Sequence, residues 1–499
     1  MQLDPTTCEK ARLSRDARFD GRFFVGVVTT GIYCRPICPA PPPRSRNVRF
    51  FPTAAAASHA GLRPCLRCRP EASPGTPAWL GTSDTVSRAL ALIESGALDE
   101  GRVDELAQRL DVTPRHLSRL FREHLGAPPV AIAQTRRLLF AKKLINETKL
   151  SMADIAFSAG FGSIRRFNAV FRATYGRQPS ALRRAAPLEH ATATAPRPGR
   201  GLVLELPYRA PFDWRGLVDF LAPRAIPGVE VVTAESYQRS ICLCGVTGLI
   251  DVRPRSDASC LDLVVRFPDH RRLLQIVSRV RRLFDLGADP VEISSALASD
   301  RLLRQRVRAR PGLRVPGAWD GFELAVRAIL GQQVTVTGAT TLAGRLVETF
   351  GIPFEKTGVD GLEAVFPLPE CLADAEIESI GLPKTRAAAI RRLATAVADD
   401  SLTFEPLGGI EESITQLTSL PGVGDWTAQY IAMRALGEPD AFPSSDLGLL
   451  KAASESGTRL TPAQLRRLSD RWRPWRAYAA MHLWNAPAAA APNHTESPS

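Results

Sequence analysis

Two stretches of the chain share one rhythm of apolar positions. In "VDELAQRLDVTPRHLSRLFREHLG" (103–126), Leu106, Ala107 and Leu110 recur at helical spacing, a break follows at Asp111–Thr113, and Pro114 opens a second helix with Leu117, Leu120 and Phe121 on one face. "MADIAFSAGFGSIRRFNAVFRATYG" (152–176) repeats the plan, with Ile155, Ala156 and Ala159, a turn at Gly160 and Gly162, then Phe167, Val170 and Phe171. Arg115, Arg119 and Arg122 flank the first apolar stripe, and Arg165, Arg166 and Arg172 the second. Helix, tight turn and basic second helix is the helix-turn-helix plan. Any antiparallel helix pair resembles one such unit. Two of them joined by the Arg- and Lys-rich helix "TRRLLFAKKLI" point more firmly to DNA. Further on the rhythm changes: "GLVLELPY", "SICLCGVTGLIDV" and "LDLVVRF" are short β-rich runs that predict a small sheet domain over 203–290, followed by a helical bundle.

Seams separate these regions. "PEASPGTPAW" (70–79) and "PLEHATATAPRPGRG" (187–201) read as linkers, and the tail from Ala486 as disordered. The chain of 499 residues therefore divides into a module over 1–75, a helical region over 83–185, a linker at 186–201, a sheet domain over 202–290, a bundle over 291–486 and a tail at 487–499. At 44% hydrophobic and 23% charged residues, it can build cores and is not a disordered chain. No run of eighteen apolar residues occurs, and "MQLDPTTCEK" is no signal peptide, so the expectation is a cytoplasmic protein without a membrane partner.

Charge sharpens the division. Residues 1–78 carry 12 Lys+Arg against 5 Asp+Glu, residues 79–185 carry 17 against 10, and residues 186–499 carry 35 against 36. The excess of the first 185 residues predicts a polyanion partner, most simply double-stranded DNA.

Four of the nine cysteines read C-x3-C-x26-C-x2-C: Cys34, Cys38, Cys65 and Cys68. Two short loops and a long one suit one tetrahedral Zn²⁺ with four thiolates; a disulfide pair or idle thiols is the alternative. Cys242 and Cys244 in "CLC" read as buried strand residues rather than ligands.

These residues carry resemblances. The stretch "DARFDGRFFVGVVTTGIYCRPICPAPP…NVRFFPTAAAASHAGLRPCLRCRP" resembles the Ada-type methylphosphotriester sensor, and the helical region resembles the DNA-binding domain of AraC-type activators. The first resemblance implies that Cys34 is a reactive ligand that takes a methyl group from DNA methylphosphotriesters, stoichiometrically, because nothing regenerates the thiolate. The DNA-facing residues it suggests are Thr30, Arg44, Arg46 and Arg63. The family often has an arginine just after the second cysteine. Pro41 stands there instead, so Arg44, Arg46 or Arg63 would supply that contact.

In the C-terminal unit, "LPGVGDWTAQY" (420–430) reads as a helix-hairpin-helix, with Gly422 and Gly424 allowing a phosphate to approach the backbone. Together with "AVRAILGQQVTVTGATTLAGRLV", "DAFPSSDLGLLK" and "RWRPWRAYAAMHLW", it resembles AlkA-type DNA-3-methyladenine glycosylases from about Leu204 to Asn485. The resemblance makes Asp446 the carboxylate that stabilises positive charge at C1′ and orients or activates water; the plain alternative is a helix cap. It makes Trp426, Tyr430, Trp484 and Phe220 the wall of a base pocket whose faces would hold a cationic base, against the plain reading as core aromatics. A tryptophan at position 426, where bifunctional relatives carry lysine, implies base release without strand cleavage. Gln333 would wedge into the gap left by the flipped base. No Cys-x-x-C near Trp472–Trp484 suggests an iron–sulfur cluster, and no "PCHR"-like site of the guanine O6-methyltransferase domain is found.

The fold expected is multidomain, α/β plus mainly α: a small zinc module with four cysteine ligands, a double helix-turn-helix, an α+β sheet domain and a helix-hairpin-helix bundle. The function expected is a transcriptional activator of the response to DNA alkylation, with RNA polymerase as a further partner, fused to a base-excising enzyme. Two alternatives stand beside it: a repair enzyme whose N-terminal half only tethers it to DNA, and a regulator with a decayed glycosylase.

Overall fold

The computed structural model describes residues 4–74, 84–99, 101–185, 201–354, 359–405, 408–454 and 460–485. Residues 75–79 of the first linker, 186–200 of the second and the tail from 486 lie outside them.

The first module is a four-stranded sheet, β1 (Phe24–Val27), β2 (Ile32–Cys34), β3 (Val48–Phe51) and β4 (Arg63–Pro64), in the order β3-β1-β2-β4. Side chains alternate across β1, so Phe23 and Val25 pack with Cys8 and Ala11 while Phe24 packs with Tyr33, Phe51 and Ala57 on the other face. β2 pairs in parallel with β4, Tyr33 opposite Pro64, which sets Cys34 and Cys65 side by side at the strand ends.

The two helix pairs follow the predicted plan. Thr113 and Ser163 cap Pro114–Leu125 and Ile164–Tyr175 by accepting from the N–H of His116 and Arg166. Gly126 and Gly176 end these helices at φ 74° and 66°, a left-handed conformation that glycine adopts without Cβ strain.

The helix that joins them, Pro129–Glu147, contains the basic stretch read as the connection. Its basic residues do not face outward. Arg137, Lys142 and Lys143 are buried, Lys143 against Glu147 (2.8 Å) and Lys142 against Asn146 (2.8 Å) and Glu71 (3.4 Å). Arg136 donates to the carbonyl of Glu94 and to Ser278 Oγ (3.1 Å). Composition does not tell which face of a helix is covered, and this one is covered on several sides. The 70–79 linker is corrected in part for the same reason: Pro70–Ala72 forms a 3₁₀ turn that delivers Glu71 to Lys142.

The sheet domain is antiparallel: β5 (Leu202–Pro207), β6 (Glu230–Val232), β7 (Tyr237–Leu243), β8 (Val246–Pro254) and β9 (Cys260–Arg266), in the order β5-β9-β8-β7-β6. Cys244 is not a buried strand residue. It sits exposed in the β7–β8 turn beside Gly245, both at positive φ (51° and 76°), and Cys242 is only half-buried.

The modules share contacts throughout. One hydrophobic core runs from Leu138–Leu182 of the helical region into Leu204–Leu483 of the C-terminal unit. Arg22 of the first module pairs with Asp289 (2.9 Å) and Glu292 (3.2 Å) at the start of helix Pro290–Leu297. Thr53 donates to the carbonyl of Leu125 (2.9 Å), and Arg281 to that of Pro74 (2.6 Å). No helix among the described residues is long and apolar enough to cross a membrane.

Candidate functional sites

The four Sγ atoms of Cys34, Cys38, Cys65 and Cys68 lie within 4.8 Å of one another. Tetrahedral Zn–S bonds of about 2.3 Å place sulfurs roughly 3.8 Å apart, so the set fits one Zn²⁺. The backbone N–H of Arg35 donates to Cys68 Sγ (3.3 Å), and the Arg35 guanidinium is held by Asp20 (2.9 Å). Cys68 is buried, whereas Cys34, at the end of β2, is half-buried, as are Cys38 and Cys65.

Thr30, Arg44, Arg46 and Arg63 are all exposed, Thr30 on the turn between β1 and β2 and Arg63 on β4. β4 packs beside helix Ile164–Tyr175. On the two second helices Arg115, Arg119, Arg165 and Arg166 are exposed. Arg119 bonds Glu123 (3.1 Å) one turn along its own helix, a surface pair easily exchanged for a phosphate.

The C-terminal unit closes around a cavity of about 210 Å³. Helix Asp425–Ile431 supplies Trp426 and Tyr430, one turn apart and stacked at 5.4 Å. Helix Arg476–Trp484 supplies Trp484, which meets Tyr430 edge-on (6.3 Å) and Phe220 at a tilt (6.2 Å). Asp446 caps helix Leu447–Ala453, its Oδ1 accepting from Leu449 N (2.9 Å). The residue that caps this helix also lines the cavity. Trp484 Nε1 also donates to Oδ1 (2.9 Å) and Trp426 Nε1 to Oδ2 (3.0 Å), so three donors fix a carboxylate at the cavity wall. Two bonds saturate Oδ1, while Oδ2 keeps acceptor capacity for a sugar or a water.

Sequence reasoning missed Gly448. A Cβ there would lie 3.0 Å from Asp446 Oδ1 and 3.4 Å from Trp484 Cδ1, so glycine lets the indole reach the carboxylate. It also missed three arginines that line the cavity: Arg224, Arg327 and Arg434. The Arg224 guanidinium lies 3.8 Å from the Phe220 ring centre, and that of Arg434 lies 5.0 Å from it. Both guanidiniums lie against the Phe220 ring, and Phe220 also lines the cavity. Arg434 follows the helix in a π-helical turn, Ala432–Leu436, anchored on the carbonyls of Pro316 (2.8 Å) and Gly317 (3.1 Å), and donates to Tyr430 Oη (2.7 Å). Burial alone would raise the Tyr430 pKa; Arg434 and Arg224 outweigh it and lower it. Arg327 is held by Glu230 (2.9 Å) and Glu323 (3.1 Å).

Beside the cavity, Gly422 turns the hairpin at φ 99°, and a Cβ would meet that of Ala389 at 2.5 Å. A side chain cannot be accommodated there, and Gly424 faces open space. Gln333 is exposed at φ 57° on the loop before helix Val336–Phe350.

Comparison with known proteins agrees with this partition. Residues 7–71 match the metal-binding domain of Ada, residues 106–185 a helix-turn-helix domain and residues 203–320 the AlkA N-terminal domain. A Mycobacterium tuberculosis protein named "Probable bifunctional transcriptional activator/DNA repair enzyme AlkA" is 47% identical over 97% of both chains. The DNA-3-methyladenine glycosylase 2 of Escherichia coli is 35% identical, over 56% of this chain and 95% of its own length. The solved 3-methyladenine DNA-glycosylase of Archaeoglobus fulgidus superposes with a TM-score of 0.50 at 25% identity, covering 56% of this chain and 97% of that one. With a relative this similar matched from end to end, the chain belongs to the family of bifunctional transcriptional activator/DNA repair enzymes in which an Ada-type metal-binding domain, a helix-turn-helix domain and an AlkA-type glycosylase unit form one polypeptide.

Proposed function

We propose that the chain reports DNA methylation with its N-terminal half and removes alkylated bases with its C-terminal half. The observation that carries the second activity is the Asp446 carboxylate, held by two indoles and a helix N–H at the wall of an aromatic cavity. A flipped purine methylated at N3 or N7 is cationic and leaves readily, so the protein need only extrude it, enclose it and stabilise the sugar. Asp446 supplies negative charge next to C1′ as the glycosidic bond breaks. Its three donors hold the carboxylate at one point of the cavity wall, so its charge is in place as positive charge develops on the sugar, and Oδ2 can orient a water. Trp426, Tyr430, Trp484 and Phe220 enclose the base, Gly422 and Gly424 let the backbone come close to a phosphate, and Gln333 fills the emptied stack. With no lysine at position 426 there is no amine to attack C1′, and the product is an intact strand with an abasic site.

In the sensor, Cys34 Sγ attacks the methyl carbon of a methylphosphotriester. An S–C bond forms, the C–O bond breaks and the phosphodiester leaves as an anion. Cys34, Cys38, Cys65 and Cys68 would hold Zn²⁺, which when bound keeps thiolates deprotonated at neutral pH. Thr30, Arg44, Arg46 and Arg63 bring the sensor to the backbone; Arg115, Arg119, Arg165 and Arg166 face promoter DNA. Activation then proceeds through contact with RNA polymerase in the cytoplasm.

Two measurements on one methylated duplex test this reading. Mass spectrometry should find one added methyl on Cys34, and a base-release assay should find free methylpurine with no strand break. No adduct on Cys34, or no released base, removes the corresponding half.

A further inference from the structure

The loop Gly331–Thr335 is bolted to the hairpin by one side chain. Gln332 Nε2 donates to the carbonyl of Gly422 (2.9 Å) and to Thr427 Oγ1 (2.9 Å). A carbonyl only accepts, so the amide nitrogen, not its oxygen, faces Gly422. Gly422 is the hairpin's left-handed residue, and Thr427 is buried on the helix that also carries Trp426 and Tyr430. The same loop is held from behind by helix Lys384–Ala398: Arg386 donates to the carbonyls of Gln332 (3.2 Å) and Leu330 (3.4 Å), while Ala389 of that helix lies against Gly422. The next residue, Gln333, is exposed in the left-handed region, a conformation unfavourable for a side-chain-bearing residue unless its surroundings impose it.

We infer that Gln332 is a positioning residue that makes the insertion loop, the hairpin and the pocket helix one rigid bracket. The inference rests on the glycosylase reading above. Seating a phosphate on the hairpin then fixes where Gln333 enters the stack, and base extrusion follows from backbone binding rather than from a separate loop closure. A bracket of this kind acts on the geometry of the extruded state, and misplacement of about 1 Å is enough to cost about 10²-fold in rate.

The test uses the full chain, with Gln332→Leu, which keeps the volume and removes the donor, and Gln332→Glu, which turns an acceptor toward the Gly422 carbonyl. Duplexes carry 2-aminopurine beside 7-methylguanine, so extrusion is read by fluorescence and chemistry by single-turnover base release. Both variants should lose roughly 10- to 100-fold in the saturating rate, with the half-saturating concentration moved less than about threefold, the fluorescence rise slowed in step and the melting temperature unchanged. Thr427→Val removes one of the two bonds and should show a smaller loss of the same kind; it serves if Gln332→Leu fails to unfold cooperatively. Wild-type extrusion kinetics and a saturating rate within about twofold in Gln332→Glu would overturn the inference. Should the wild-type chain release no base, the glycosylase reading fails, and the fluorescence trace alone still decides the role of Gln332.

Discussion

The two centres proposed to react in this protein are fixed in opposite ways. Cys34 is held by groups of its own kind, on a strand end and two short loops within a span of 35 residues (Cys34 to Cys68), and it is half-buried. Asp446 is held by groups unlike itself, brought from 20 residues before it and 38 after it. A centre that reacts once needs reach and a deprotonated sulfur. A centre that turns over needs its charge aimed at the same point in every cycle, and that takes a packed bundle.

The sharpest way to break this contrast is Asp446→Asn. It keeps the shape and removes the charge, so base release should fall by about 10³-fold or more, while affinity for undamaged duplex stays within a few fold. Near-normal turnover would show that the carboxylate is only a helix cap. Trp484→Phe is gentler. It removes one donor to a charged acceptor, an interaction worth about 1.5–3 kcal/mol, and single-turnover release should slow by roughly 10- to 100-fold. The corresponding change in the sensor is chemical rather than mutational. On the proposed reading, methylation would turn the Cys34 thiolate into a neutral thioether and remove one negative charge near the DNA backbone. One charge pair at roughly 10 Å in water is worth about 0.4 kcal/mol; summed over several phosphates this reaches roughly 1–3 kcal/mol. Promoter affinity, measured against salt, should therefore rise about 5- to 150-fold on methylation, most at low salt, and Cys34→Ser should never respond. Equal affinities at every salt concentration would exclude an electrostatic switch.

The last effect is on stability and leaves the rate at neutral pH untouched. His482, buried two residues before Trp484, has its pKa lowered to about 4 by burial, with Arg306 and Arg310 adding to the shift. A depressed pKa means that its contribution is complete above the unfolded value of about 6.5 and is lost as pH falls toward 4, by up to about 3 kcal/mol. Asp285 acts in the opposite sense. Burial raises its pKa to about 6, so its contribution fades as pH rises from about 4 to 6. Comparing wild type with His482→Asn isolates the histidine, because Asp285 is common to both. Denaturant unfolding at pH 7 and pH 4.5 should show the variant gaining on wild type by roughly 2 kcal/mol at the lower pH. A difference that does not change with pH would mean that His482 titrates alike in the folded and unfolded chains.

Much of this was legible in the sequence where the signal is local. The cysteine spacing anticipates the sulfur cluster because strand, loop and ligand follow each other closely. The twin helix pairs are legible because each keeps its apolar period on both sides of a short break, and Asp446 and Trp426 because a resemblance ties them together. The pocket arginines were not. Arg224, Arg327 and Arg434 come from three separate elements, one of them a π-helical turn that no periodicity announces, and the placement of Arg224 and Arg434 over Phe220 is a tertiary fact. The basic stretch "TRRLLFAKKLI" joins the two helix pairs as read, but where its charges go was not legible for a related reason. Its charge count matches a DNA-binding helix, but Glu71, Asp99 and Glu147 answer it from inside the protein.

That buried helix also alters what joins the two halves. Since its apolar residues continue into the core of the glycosylase unit, the peptide connection across 186–200 is not what keeps sensor and glycosylase together. A single proteolytic nick there should leave two fragments that migrate as one particle, like subunits of a heterodimer whose interface is already made, and a chain whose sensor is spent would remain attached to a working excision enzyme.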